Sequence, residues 1–138
     1  MTNFNLSVQS VAAWCERKGI AYRVDPNNGQ LHMPHPANRD WVLRVIARED
    51  RNMVSFGLVV PYPIPPERFE EVGKTIGYLN SRTFMGAWVL NHGSQSLYFR
   101  VTLPGGDSTY SDEGLLFVIQ VIFGTSNASG EVLRKVVM

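Results

Sequence analysis

Nine consecutive residues, Leu115-Leu116-Phe117-Val118-Ile119-Gln120-Val121-Ile122-Phe123, contain a single polar side chain. Wound at about 100° per residue, this segment is apolar over most of a helical circumference, with Gln120 marking the one polar side. A helix lying on one sheet needs a narrower stripe than that. The chain must therefore cover this helix on more than one side, or a second subunit must. The run alone is too short to cross a bilayer, which takes ~20 residues, so no membrane span is expected.

The rest of the chain supplies β-structure. Leu97, Phe99, Val101 and Leu103 alternate with Tyr98, Arg100 and Thr102, the mark of a half-buried strand. Gly86–Leu90 reads as its hairpin partner, joined through Asn91-His92-Gly93-Ser94. Trp41–Arg48 and Met53–Val60 form a second antiparallel pair around a polar turn, Glu49-Asp50-Arg51-Asn52. Ala21–Asp25 and Gln30–Met33 flank Asn27-Asn28-Gly29, which tolerates the positive φ of a tight hairpin.

Three helices complete the pattern. Val8, Val11, Ala12 and Cys15 make a stripe over 6–18, closed by Lys18-Gly19. The prolines of Pro61–Pro66 lead into a central helix, with Phe69, Val72, Ile76, Leu79 and Asn80 on one face. Gly73 and Gly77 weaken this helix, and close approach to a neighbour is the expected compensation. The last helix starts at Ser111, and Gly124–Gly130 is expected to kink or break it.

With 138 residues, 44% hydrophobic and 18% charged, the chain fits a single domain, 1–138, with one core. The order α-β-β-β-β-α-β-β-α predicts an α+β fold, a mainly antiparallel twisted sheet with helices packed on one face. A lone cysteine and the absence of a charged-then-apolar opening suggest a reduced, cytoplasmic setting.

Chemistry is hard to find. His32 and His35 are three apart, so in a strand they face opposite sides and form no metal pair. Cys15 sits on an apolar stripe, and Glu67, Glu70 and Glu71 suit a helix N-terminus. No nucleophile elbow, phosphate loop or dinucleotide fingerprint is present. Neither a catalytic residue, a cofactor nor a metal is expected. Arg44, Arg48 and Arg100 with Trp41, Trp88 and Tyr98 could offer a basic-aromatic face to single-stranded nucleic acid, but a net charge of +1 argues against it. A small-molecule sensor would need a pocket lined by Phe56, Phe69 and Phe99.

Residues 79–138 resemble the YbjN family, described as bacterial sensory transduction regulators. The resemblance lies in Leu79-Asn80 closing a helix, Gly86-Ala87-Trp88-Val89-Leu90 opening a strand, Leu97–Leu103, a Gly-Gly loop and an apolar final helix. Residues 53–66, a strand running into Pro-Ile-Pro-Pro, match the same pattern. The resemblance implies a fold like that of type III secretion chaperones, homodimers that hold partner proteins, and carries over no catalytic residue. This chain is nearly neutral where those chaperones are acidic.

The expected function is therefore a non-enzymatic, homodimeric adaptor or chaperone-like regulator that binds another protein. Tyr78, Trp88, Leu90, Tyr98, Phe117 and Val121 are the expected dimer contacts. Trp14 and Tyr22 are the expected anchors for a protein client, through an apolar groove or strand addition.

Overall fold

The structure, a computed structural model, describes residues 3–48 and 51–138. Glu49 and Asp50 of the expected polar turn lie outside the described residues. A short strand β1 (Asn3–Asn5) leads into α1 (Val8–Lys18), followed by β2 (Arg23–Val24), β3 (Leu31–Pro34), β4 (Val42–Arg48) and β5 (Met53–Val59). A 3-10 turn (Pro66–Arg68) opens α2 (Phe69–Ser81). The chain closes with β6 (Ala87–Asn91), β7 (Ser96–Pro104), β8 (Thr109–Ser111) and α3 (Asp112–Val137).

Six strands make one antiparallel sheet in the order β2-β3-β4-β5-β7-β6, and β1 pairs with β8 in a separate two-stranded ribbon. This ribbon is absent from the sequence expectation. Its three-residue strands are too short to show a period.

Local chemistry sets the boundaries. Ser7 caps α1: Ser10 N–H donates to Ser7 Oγ (3.0 Å) and Ser7 N–H donates to Ser10 Oγ (2.8 Å). Gly19 ends α1 in the left-handed region at φ 67°. Ser111 caps α3 by accepting from Gly114 N–H at 3.0 Å.

The register fixes what faces inward. Leu43, Leu58, Phe99 and Trp88 lie in one cross-strand row, and Leu31, Val45, Phe56 and Val101 in the next. All eight are buried in the core with Val11, Trp14, Cys15, Val72, Leu115, Ile119 and Ile122 of the helices. Hydrophobic burial on this scale is the dominant stabilising term.

Two expectations need correction. α3 does not break at Gly124–Gly130 but runs unbroken for 26 residues. Leu133 and Val137 bury beyond the weak stretch, and Gly130 sits under Trp41, where an added Cβ would lie 3.5 Å from the indole. Packing overrides propensity there. At Gly73 and Gly77, by contrast, an added Cβ would meet nothing within 4 Å, so the expected close approach is not present. The unbroken α3 is also longer than the apolar run suggests. By length and composition it is one helix that could cross a membrane, yet its Leu115, Val118, Ile119 and Ile122 belong to the core under the sheet.

Candidate functional site

Among the described residues no helix lies on the second face of the sheet. Alternation puts Arg23, His32, Arg44, Gly57, Arg100 and Ala87 in one outward row across all six strands. Pro34, Val42, Val59, Tyr98 and Val89 form the adjacent row. Ile46, Ser55 and Thr102 follow on the other side, and then Arg48, Met53 and Pro104. Ser55 Oγ and Thr102 Oγ1 hydrogen-bond at 3.1 Å.

Charge on this face has one sign. Arg23, Arg44, Arg48 and Arg100 are exposed, and no Asp or Glu holds an outward strand position among the described residues. The carboxylates sit largely on the helices: Glu16 in α1, Glu70 and Glu71 in α2, and Asp112, Glu113 and Glu131 in α3. Several are engaged there, as in Arg17–Asp112 (2.7 Å), Arg68–Glu71 (3.5 Å) and Lys74–Glu70 (3.5 Å). The His32 imidazole is held below its ordinary pKa by burial, and further by Arg23 and Arg44. Asp25 and Asp40 lie at the margins: Asp25 raises the His32 pKa slightly, and Asp40 lines a cleft with Val42 and Arg44.

Three shallow clefts open on this side. One of about 360 Å³ is bounded by Tyr22, Arg23, His32, Pro34 and Arg44. A second, about 470 Å³, is bounded by Arg48, Arg51, Met53, Ser55, Arg100 and Thr102. The third runs from Arg44 and Val59 to Tyr62 and Gln95. A larger open cleft of about 750 Å³ lies elsewhere, between Trp41, Tyr62 and the end of α3 at Arg134 and Met138. The Tyr62 hydroxyl is buried without a hydrogen-bond partner, and burial raises its pKa.

The expected contact residues do not converge. Trp88 faces Phe99 in the core, rings 5.4 Å apart, and is only 2% exposed. Leu90 pairs with Leu97 on the same inner face. Tyr98 is outward and half-buried. Tyr78 (62% exposed) on α2, with Arg82 stacked 5.6 Å over its ring, and Phe117 (58% exposed) on α3 are at the surface, with Val121 half-buried. The outward placement of Trp88 is thus corrected: its strand pairs in the register that turns 88 and 90 inward and 87 and 89 outward.

Trp14 is also corrected. It is fully buried, with Nε1 donating to the Asp112 carbonyl at 3.3 Å, and has no surface to offer a client. Tyr22 is half-buried and donates its hydroxyl to Glu16 at 2.8 Å, which raises its pKa. Phe56 and Phe99 are fully buried core side chains, while Phe69 stands edge-on to His92 at 4.7 Å, so they do not frame an open pocket. His32 and His35 do diverge: His35 is buried against Phe123, its Nδ1 accepting from Ala37 and Asn38 N–H. Cys15 is buried, with its thiol pushed up to about 11, chiefly by desolvation. Among the described residues no group of three His, Cys, Asp or Glu could hold a metal ion.

The net charge of +1 argues against a basic face on Arg44, Arg48 and Arg100, but a net charge hides arrangement: the three share one side of the sheet and Arg23 joins them, while Trp41 and Trp88 are buried. The signal is present in the sequence: Arg44 and Arg48 alternate with Val45 and Ala47, and Arg100 with Val101.

Taken together, the molecule is an α+β domain that turns one side of an antiparallel sheet to its helices and the other, cationic, side to solvent. The YbjN family model, "Putative bacterial sensory transduction regulator", matches residues 7–136. The chain belongs to the YbjN family. Its fold is similar to that of a solved structure from E. coli, "YbjN, a putative transcription regulator", with a TM-score of 0.74 and 12% identity, covering 94% of this chain and 96% of that one. No curated protein sequence matches the chain significantly.

Proposed function

We propose that this chain is a non-enzymatic, cytoplasmic regulator that works as a homodimer and acts by binding another protein, in the manner of an adaptor or chaperone. One observation carries the reading: among the described residues α3 keeps an apolar side that is exposed at both ends and only half covered at Val121. Phe117, Val121, Gly124, Ala128 and Val132 follow one another at spacings of three or four and fall within one narrow arc of the helix. Phe117 and Val132 are 58% and 48% exposed, and an added Cβ on Gly124 would meet nothing within 4 Å. Leu116 beside this strip is also exposed.

Large exposed apolar side chains in a continuous strip mark association sites more often than ordinary surface. The strip has bulky ends and a small-residue waist, a shape that suits a second copy of itself laid across it about a two-fold axis. Phe117 and Val121 remain the favoured contacts, with Tyr78 as a peripheral one. Trp88 and Leu90 no longer contribute.

Light scattering coupled to size exclusion tests the assembly. A dimer mass is expected for the wild type at micromolar concentration, and a monomer mass for Phe117→Asp with unchanged circular dichroism. A wild-type monomer mass refutes the dimer. Partner binding is tested by photocrosslinking in cells followed by mass spectrometry, and the recovery of no protein besides the chain itself refutes the adaptor reading.

A further inference from the structure

The open face of the sheet has an order that single residues do not reveal. Its central row carries a guanidinium on every second strand: Arg23 on β2, Arg44 on β4 and Arg100 on β7. Strands lie ~4.8 Å apart, so these cations repeat at about 9.5 Å along a line perpendicular to the strands. Between Arg44 and Arg100 the row dips to Gly57, whose added Cβ would have only Tyr98 within 4 Å, at 3.9 Å. The neighbouring row, about 7 Å away along the strands, is apolar from end to end: Pro34, Val42, Val59, Tyr98 and Val89. Cations and grease thus run side by side as two parallel lines.

We propose that this face is the docking surface for an acidic amphipathic helix of a partner protein, laid across the strands with its apolar side on Val42, Val59, Tyr98 and Val89 and its carboxylates over Arg23, Arg44 and Arg100. The proposal rests on the adaptor reading above and names the partner chemistry. Carboxylates seven residues apart on a helix are separated by about 10.5 Å, close to the spacing of the arginines. The span from Arg23 to Arg100 is four strand spacings, about 19 Å, the length of roughly 13 helical residues. Arginine suits the role, since its fork binds carboxylates in bidentate fashion. None of the three makes an ion pair with a carboxylate among the described residues, so the charges are open to an incoming segment.

A nucleic acid fits this face less well. Single-stranded chains need successive aromatic platforms, and among the described residues the outward positions of the six-stranded sheet carry just two aromatic rings, His32 and Tyr98, in different rows. The continuous apolar row gives phosphates nothing to bind.

The test uses the full chain and three fluorescein-labelled probes: an 18-residue helical peptide with Glu and Leu segregated on two faces, a scrambled peptide of the same composition, and a 20-nucleotide oligothymidylate. Anisotropy titrations at low and moderate salt compare wild type, R44E/R100E on the open face, and K74E on α2. The wild type is expected to bind the amphipathic peptide at least fivefold tighter than the scrambled one. R44E/R100E is expected to weaken that binding at least tenfold and K74E less than twofold. Equal binding of the two peptides, no effect of R44E/R100E, or tighter binding of the oligonucleotide overturns the proposal. So does conversion of a dimer to a monomer by R44E/R100E, which would make a second copy the occupant. Crosslinking in cells separates this failure from that of the adaptor reading. A partner captured equally by wild type and R44E/R100E removes only the docking surface, whereas no partner for the wild type removes the adaptor reading itself.

Discussion

Asn80 at the end of α2 is the most informative side chain to remove. Its Oδ1 accepts the Trp88 N–H at 2.7 Å and its Nδ2 donates to the Trp88 carbonyl at 3.1 Å. One amide therefore occupies both backbone groups of a residue on the outermost strand β6 and ties the helix to the sheet. Each such bond contributes about 1 kcal/mol net, and a partly buried group left unpaired costs more. Asn80→Ala should lower stability by about 2 kcal/mol. With a urea dependence of about 1.5 kcal/mol per molar, the unfolding midpoint falls by roughly 1.3 M. The Trp88 amide should also exchange faster with deuterium in the native state. Asn80→Asp separates the two bonds, because a carboxylate keeps the acceptor and turns charge against the Trp88 carbonyl. It should be at least as damaging at neutral pH and recover in part when acidified. A loss below about 0.5 kcal/mol for Asn80→Ala, with unchanged exchange at Trp88, would refute the tie.

Other expectations follow from backbone and charge. Gly77→Ala, in open space on α2, should stabilise by about 0.5–1 kcal/mol in urea unfolding. Gly86→Ala should destabilise by about 2 kcal/mol or more, since φ is 82° and the new Cβ would stand 2.8 Å from the Arg100 carbonyl oxygen. Asp112 is held below the ordinary carboxylate range by its hydrogen bond from Arg17 and the nearby Lys18. The unfolded chain therefore binds the proton more readily, and the stability this group contributes is full above its unfolded pKa and lost as pH falls through the lower folded value. Asp112→Asn should flatten the acid limb of the stability–pH curve, and an unchanged limb would count against the α1–α3 ion pair.

Much of the fold was legible because it depends on local chemistry. Ser111 and Gly19 mark helix ends by what their atoms can do, and Leu97–Leu103 alternates in a way only a one-sided strand requires. Tertiary context decided the rest. Gly124–Gly130 is a poor helix in isolation, yet Leu133 and Val137 reward its continuation and Trp41 covers Gly130. In β6 the order Ala-Trp-Val-Leu is apolar on both faces, so its own letters cannot say which face is buried, and pairing with Phe99 turns Trp88 inward. The site was less legible than the fold. Exposed Phe117 could be read from an over-apolar helix, but Arg23, Arg44 and Arg100 lie far apart in the chain and align only once the register is known.

The clasp of Asn80 on Trp88 has a consequence for how this molecule can associate. An antiparallel sheet ordinarily grows by recruiting another backbone to its outermost strand. On the β6 side that backbone is already engaged at Trp88 and flanked by α2; on the opposite side β2 has two residues, and beyond them β3 ends in Pro34, which lacks an amide hydrogen. Both margins are blunted, so ribbon-like polymerisation through backbone pairing is disfavoured, and a concentrated population of this chain should stay dispersed even while its broad surfaces are engaged.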